Sequence, residues 1–557
     1  MTPSGAVEVV ELDGAPRRDG IVDVDALCTA LGPVDLLESA DRSGWTSIVP
    51  HDLASGGLAD EHGRVVLRRS GAAPLDLGAD PAAALDDAAS RLGLDPTAAP
   101  PPHVPMPFRG GLVGALAYEL GARLAPGPVP VPPRDLASVP DLALRLTGAV
   151  VAVPRERDRA LLVIDRGLLA REPGPVVAFV RARLRDGVPA AAEDAPSASI
   201  RTVVAPSLPH AAHTAAVRHV LALVAAGDAY QVNLAQRLRA RWPGDAAGLY
   251  RRLRAASPAS HAALLPDLGV ASVSPERFLR VRAGAVVTDP IKGTRPRADD
   301  PSLDAALADD LATSAKDRAE NVMVVDLERN DLGRVCLPGS VAVPTLLELR
   351  ALPTVWHLVS SVAGTLRPGT GYGALLRAAF PSGSVTGAPR LAAMRAIGRL
   401  EPVRRGWYCG AIGFLGAGDA ELSVAIRTAT LHRDGTATYG AGGGIVADSD
   451  PDAEVAESLD KALPFLRAAG ATGVLAVDAV PSRPSARAGA PARGARGSTA
   501  ASSPPERRPS RPPTWGSARG SACSRRSGSS AVARRGWRGT SSGWSPAAGG
   551  SASTSTR

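Results

Sequence analysis

Apolar residues along this chain recur with two different periods. Over residues 1–195 they come mostly in short β-like runs, such as Trp45-Thr-Ser-Ile-Val49, separated by Gly- and Pro-rich turns, with one helix-like stretch around 81–92. A Pro/Ala-rich span at 188–206 reads as a connector. Beyond it, 210–226 has helical periodicity, and strands and helices continue to about residue 469. Two regions are therefore predicted, 1–195 and 205–470, followed by a segment of another kind at 480–557.

That last segment holds 18 Ser, 14 Ala, 14 Arg, 11 Gly and 9 Pro, with no Leu, Ile, Phe, Met or Tyr. So little apolar surface cannot offset the entropy of ordering a chain, and disorder is expected. The segment also carries the basicity of the protein. Its 14 Arg face one acid, Glu506, whereas residues 1–479 hold 49 basic and 54 acidic side chains. The formal +8 of the 557 residues thus conceals a net −5 on the part expected to fold, which argues against a nucleic-acid-binding protein.

Of the 63 basic residues only three are lysine: Lys292, Lys316 and Lys461. Lysine differs from arginine in that its amine can lose its proton and become a nucleophile, so these three positions point to chemistry. The four cysteines, Cys28, Cys336, Cys409 and Cys523, lack CxxC spacing, and neither a disulfide framework nor a zinc site is indicated. The N-terminus has no basic and then apolar signal pattern, and no run of 18 apolar residues occurs. A cytoplasmic protein that neither crosses nor inserts into a membrane is expected.

Several short stretches could carry a site. Ser314-Ala-Lys-Asp-Arg-Ala-Glu-Asn-Val-Met-Val-Val-Asp-Leu327 is helix-like and sets Asp317 and Glu320 on one face. Asp450-Pro-Asp-Ala-Glu-Val-Ala-Glu-Ser-Leu-Asp-Lys461 opens with a helix-starting Asp-Pro and aligns Glu454, Glu457 and Lys461. Two such faces read either as solvated helix surfaces or as carboxylates converging on Mg²⁺, which takes one or two carboxylates and keeps several waters. Tyr439-Gly-Ala-Gly-Gly-Gly444 is a glycine cluster between a strand and that second helix, with backbone N–H groups available to a carboxylate. Arg427 offers a fork to a second carboxylate. His357, alone in a β-like run, is of a kind more often structural than catalytic. Asp289-Pro-Ile-Lys-Gly-Thr294 ends a strand and turns at Pro290 and Gly293, placing the Lys292 amine where a lowered pKa would make it nucleophilic. Glu276, in Ser274-Pro-Glu-Arg-Phe278, offers a general acid or base. Taken singly, each also reads as an ordinary turn or surface residue.

In order along the chain stand Ala229-Tyr-Gln-Val-Asn-Leu234, Ser274-Pro-Glu-Arg-Phe278, Pro290-Ile-Lys-Gly-Thr294, Asp317-Arg-Ala-Glu-Asn321, Asp326-Leu-Glu-Arg-Asn-Asp331, Phe380-Pro-Ser-Gly-Ser-Val-Thr-Gly-Ala-Pro389 and Gly440-Ala-Gly-Gly-Gly-Ile-Val-Ala-Asp448. With these motifs the chain resembles the chorismate-utilising enzymes, in the branch of aminodeoxychorismate synthase component I, sister of anthranilate synthase component I. The resemblance is dense over 210–468 and looser over 30–195, where Leu36-Leu-Glu-Ser39 and Pro107-Phe-Arg-Gly-Gly-Leu-Val-Gly114 carry it; it does not reach 480–557. It implies an α+β fold, anthranilate synthase component I-like, with two packed antiparallel β-sheets surrounded by helices and a central cleft.

It further implies roles. Glu320 and Glu457 would bind Mg²⁺, with Glu454 and Asp317 assisting through water. Tyr408, Arg427, Gly442 and Lys461 would hold the carboxylates of chorismate, and Gly293, His357 and Thr386 would line its ring. Glu276 would act as acid and base. Lys292 would be the nucleophile that selects amination at C4, since similar anthranilate synthases usually carry Ala there. Isochorismate and salicylate synthases carry a water-activating Lys where Gln231 stands, and Asn233 also resembles the aminodeoxychorismate version. The family often has Lys at Arg390 and Gly at Ser382, swaps expected to leave the chemistry untouched. Ammonia would come from a glutamine amidotransferase partner, the product would serve p-aminobenzoate and folate synthesis, and Leu36-Leu-Glu-Ser39 resembles a segment where relatives bind tryptophan. The alternative reading is anthranilate synthase component I.

Two functional readings compete for 480–557, an Arg-rich arm that binds nucleic acid and an out-of-frame translation of GC-rich DNA. Stray Trp515, Trp537 and Trp544 among Arg, Ser, Ala, Gly and Pro fit the second. The natively expressed protein is accordingly expected to be shorter, and an intact mass accounting for all 557 residues would contradict this.

Overall fold

Successive residues of a β-strand point to opposite faces, and the central strands here are apolar on both. In Ala149–Val153 every residue is buried. Val151 packs with helix-side residues such as Leu27 and Val180, while its neighbours Val150 and Ala152 pack with Phe108, Val113 and Phe414. The same alternation in Gly111–Leu116 sends Leu112 and Leu116 one way and Val113 and Ala115 the other. Strands buried on both sides require two sheets face to face with helices outside.

The computed structural model describes residues 7–39, 44–99, 106–135, 137–169, 171–186, 202–352 and 354–474. Within them, one sheet has 13 strands and runs from Val7–Glu11 at one edge, through Val34–Glu38, His261–Leu265, Thr436–Ile445 and Gln231–Arg241, to Ala471–Val474. The other has 12 strands, from Ile291–Pro296 through Val355–Thr365, Arg277–Arg282, Asp419–Val424 and Gly111–Leu116 to Leu75–Asp76. Pairing is antiparallel except for Thr202–Pro206 against Ala471–Val474. The expected α+β architecture of two packed antiparallel sheets with outer helices is what forms.

Three expectations need correction. The first region was expected to hold one helix, and Pro81–Leu92 is there, capped by Asp80, which accepts from Ala82 N at 3.0 Å, and closed by left-handed Gly93. Val24–Leu31, Leu120–Leu124 and Pro173–Arg185 are helices as well. The first two are too short for a 3.6-residue period to show, and the third buries only Val176 and Val180. The end of the 188–206 connector, Thr202–Pro206, is a strand. The chain on either side of that connector is also interleaved: Leu36 pairs with Leu264, and Val113 with Phe414. The segment 480–557 lies outside the described residues.

Leu36 is 1% exposed on a central strand, whereas Leu346 is 52% exposed. Leu36→Ala is expected to cost about 2–5 kcal/mol and Leu346→Ala within about 0.5 kcal/mol, read from chemical denaturation midpoints.

Candidate active site

The glycine cluster is strand rather than loop. Gly440–Gly444 belong to Thr436–Ile445, paired with Gln231–Arg241 so that Gly443 faces Leu234 and Gly444 faces Asn233. What the missing side chains provide is close approach. A Cβ on Gly443 would lie 3.0 Å from Glu454 Oε2, 3.6 Å from Glu457 Oε1 and 3.8 Å from Lys461 Nζ. On Gly444 it would lie 2.0 Å from Gln231 Nε2 and 3.4 Å from Lys292 Nζ.

Two capped helices bring the charges there. Ser314 Oγ accepts from Asp317 N at 3.3 Å to start Ala315–Gly333, and Asp450 accepts from Ala453 N at 2.9 Å to start Pro451–Ala468. The second helix is fixed to the glycine strand by Tyr439 stacked on Phe465, with centroids 4.9 Å apart. Its Lys461 Nζ pairs with Glu457 Oε1 at 2.6 Å and donates to Gly442 O at 3.1 Å. Glu454 Oε1 accepts from Ser449 Oγ at 2.6 Å and stands 3.7 Å from Lys316 Nζ. Glu320 Oε2 accepts from Gln231 Nε2 at 3.3 Å. All three lysines thus stand in one field of carboxylates.

Lys292 sits on a bulged strand, not on a sharp turn. Ile291–Pro296 continues directly after Ala285–Asp289, and both pair with Val355–Thr365, with a register shift between Ile291 and Thr294. Gly293 takes φ +87° at the bulge, and a Cβ there would press on Leu311 and Asp317. Gly293 therefore packs against helices. Burial lowers the Lys292 pKa and the Lys461 charge adds to this, while Glu320, Glu276 and Glu457 oppose it. Glu276 is 3% exposed, and burial pushes its carboxyl up to about 7 despite a Ser384 hydrogen bond and the nearby Lys292.

The other expected residues are distributed as follows. His357 is buried, with Nδ1 at 3.0 Å from Thr294 Oγ1 and no described partner for Nε2; burial and the Arg427 charge bring it down to about 3, so it is neutral. Arg427, in the left-handed conformation at φ +50°, donates to Ser257 Oγ at 3.0 Å and has no carboxylate in ion-pair range among the described residues. Its guanidinium is suited to an anion. Thr386 is fully buried and donates to Ser382 O at 3.0 Å, so its hydroxyl is committed to its own loop. Tyr408 packs its ring on Gly440, among Arg405, Cys409 and Glu401 rather than the lysines. Asp317 pairs with Arg295 at 3.2 Å.

Among the described residues no three His, Cys, Asp or Glu side chains form a ready cage. Burial raises the Glu320 carboxyl, opposed by Lys292 and Lys316, and Asp317 and Glu457 raise it further. Glu457 is also raised by burial but ends below its ordinary value beside Lys461, Lys316 and Lys292. Carboxylates from two helices that face each other across lysines fit a hard cation that needs only one or two of them.

The family model of chorismate binding enzymes matches residues 66–467. This chain belongs to the chorismate binding enzymes. Aminodeoxychorismate synthase component 1 of Klebsiella aerogenes is 39% identical over 406 residues, 72% of this chain and 85% of that protein. Anthranilate synthase component 1 of Streptomyces coelicolor is 37% identical over 410 residues, covering 70% and 78%. Among solved structures, anthranilate synthase component I from Streptococcus pneumoniae superposes with a TM-score of 0.62 at 29% identity, over 75% of this chain and 91% of that one.

Two features of this chorismate binding enzyme were not read from its sequence. Arg405 pairs with Glu401 at 2.6 Å, both buried, and donates to Asn233 O and Val385 O, tying the Gln231 strand to the Thr386 loop. The spacing of four residues is the signal that could have revealed it. Buried Glu328 also accepts from Gly383 N at 2.9 Å and Ser382 Oγ at 3.1 Å, fixing the start of the Thr386 loop. No helix of the described residues is long and apolar enough to cross a membrane.

With Glu276 titrating at about 7 when folded and near about 4.3 when unfolded, the folded state holds the extra proton between those values. Its contribution to stability is therefore full below about 4.3 and is lost as pH rises through about 7. Glu276→Gln, uncharged throughout, is expected to gain melting temperature relative to the parent between pH 4.5 and 7; a difference that does not change with pH would contradict this.

Proposed function

We propose that this enzyme converts chorismate and ammonia into 4-amino-4-deoxychorismate. Lys292 carries the reading: its amine is held at the glycine strand among Glu276, Glu320 and Gln231, with burial favouring the neutral, nucleophilic form. The resemblance associates Lys at this position with amination at C4, and the K. aerogenes relative bears the matching name.

Neutral Lys292 Nζ attacks C2 of chorismate, both ring double bonds shift, and the C4–O bond breaks. Glu276 gives its proton to the departing hydroxyl, which leaves as water. Ammonia then attacks C4, the double bonds shift back, and the C2–N bond breaks to return the Lys292 amine. The enolpyruvyl group is retained. Arg427, Lys461 and the Gly442 backbone hold the carboxylates, and neutral His357 lies beside the ring with Nε2 open to a hydrogen bond. Glu320 and Glu457, with Glu454 in support, would hold Mg²⁺, which would supply positive charge for the ring carboxylate of chorismate.

In this reading ammonia comes from a glutamine amidotransferase partner, consistent with relatives named as component 1. The enzyme works in the cytoplasm towards p-aminobenzoate and folate. A cavity of about 780 Å³ between the sheets, lined in part by Leu37, Glu38 and Ser39, is the space given to tryptophan.

Incubating the purified chain with chorismate, Mg²⁺ and ammonium is expected to yield 4-amino-4-deoxychorismate without pyruvate. Anthranilate with pyruvate would reverse the assignment. Without ammonium, intact mass is expected to show an adduct of chorismate less water that Lys292→Ala abolishes; an adduct persisting in that variant would remove Lys292 from its role.

A further inference from the structure

The function proposed above asks two neighbouring side chains for separate services: Lys461 is to hold a carboxylate of chorismate, and Glu457 is to hold Mg²⁺. In the structure they hold each other. Lys461 Nζ lies 2.6 Å from Glu457 Oε1, one helical turn away, and donates to Gly442 O at 3.1 Å. Two of the three N–H bonds of the ammonium are thereby engaged. The space that Gly443 leaves open collects this pair together with Glu454 Oε2, 3.0 Å from where a Cβ would stand. The other oxygen of Glu454 turns away, to Ser449 Oγ at 2.6 Å and Lys316 Nζ at 3.7 Å.

A dication on Glu457 and an ammonium at hydrogen-bond distance from the same carboxylate repel each other, two charges against one. An incoming substrate carboxylate draws the ammonium away by offering it an ion pair of equal kind. Both services therefore require the same Lys461–Glu457 pair to open. We propose that Lys461 exchanges partners between Glu457 and the substrate carboxylate, so that chorismate and the divalent cation each open the pair for the other. The inference rests on the assignments of Lys461 and Glu457 made above. Whichever ligand arrives first must separate the two side chains, and the second meets a site already opened. Linkage makes the effect reciprocal: the factor by which chorismate tightens the cation is the factor by which the cation tightens chorismate.

The surroundings permit the exchange. Both side chains are 48% exposed, so neither charge is stranded in an apolar interior while it changes partner. Gly442 O stays within reach of Lys461 and keeps the amine at the glycine strand. Lys316 is the contrast: its partner Glu454 has only a supporting part, and no substrate carboxylate is assigned to it. The charge of Lys316 therefore weighs on the cation equally with and without chorismate.

The test uses Mn²⁺ in place of Mg²⁺, read by loss of its free-ion paramagnetic resonance signal, on Lys292→Ala protein without ammonium so that chorismate is not consumed. Adding Lys461→Met is expected to tighten Mn²⁺ at least about fivefold without chorismate and less than about twofold with it, whereas Lys316→Met tightens it by one factor in both conditions. An equal gain for Lys461→Met in both conditions means that its charge acts from one place, and no gain means that it never held Glu457 against the cation; either overturns the exchange. A second measurement needs no binding variant. With only three lysines in the 557 residues, carbon-13 at the lysine ε position gives three signals from the protein. That of Lys461, identified by its loss in Lys461→Met, is expected to shift on addition of Mg²⁺ alone and again with chorismate. A Lys461 signal that Mg²⁺ leaves in place overturns the exchange as well. Glu457→Gln separates the two levels of inference. Unchanged Mn²⁺ affinity in that variant, with and without chorismate, would overturn the assignment of Glu457 and the exchange with it, whereas lost affinity beside an equal gain in Lys461→Met overturns the exchange alone.

Discussion

Gly443 and Gly444 have no side chains, and the rest of the site depends on that space. Glu454, Glu457 and Lys461 come down on one residue, and Gln231 and Lys292 on the next. A methyl group at Gly444 would overlap the Gln231 amide. Charges from two helices and two strands thereby share a region of reduced dielectric, where each ionisation depends on its neighbours. Burial, with the Lys461 charge beside it, keeps the Lys292 pKa lowered against acids that favour its charged form.

The two-sheet body serves this convergence. The glycine strand belongs to one sheet and the Lys292 strand to the other, so their approach is set by how the sheets pack. Apolar side chains such as Val113, Val150 and Phe414 fill the space between the sheets. Arg405 and Glu401 then fasten the start of the Gln231 strand to the Thr386 loop. Buried ion pairs of this kind contribute little net stability, but removal of one partner is costly, and here the pair joins two segments that carry site residues.

Much of the site was legible in the sequence because each motif is local. Helix periodicity and capping residues announced the two acidic helices, and three lysines among 63 cations marked the charged centre. The family motifs supplied what spacing could not, namely which of those residues act together. Conformations that depend on partners were less legible. Asp289-Pro-Ile-Lys-Gly-Thr294 read as a turn because Pro and Gly commonly end strands, yet a third strand pairs with both halves and turns it into a bulge. The glycine cluster read as a loop for the same reason, although ten residues of strand run through it.

By itself the sequence determined the fold class, the family, the acidic helices and the identity of the nucleophile candidate, since these rest on periodicity, composition and short motifs. Only the tertiary structure decided which charges meet. Asp317 turns to Arg295, the Thr386 hydroxyl is committed to its own loop, and Ser382, apparently a neutral swap, donates to buried Glu328. The reason is physical: a side chain's partner and pKa depend on groups distant in sequence that packing brings within a few ångströms, and no local pattern encodes that distance.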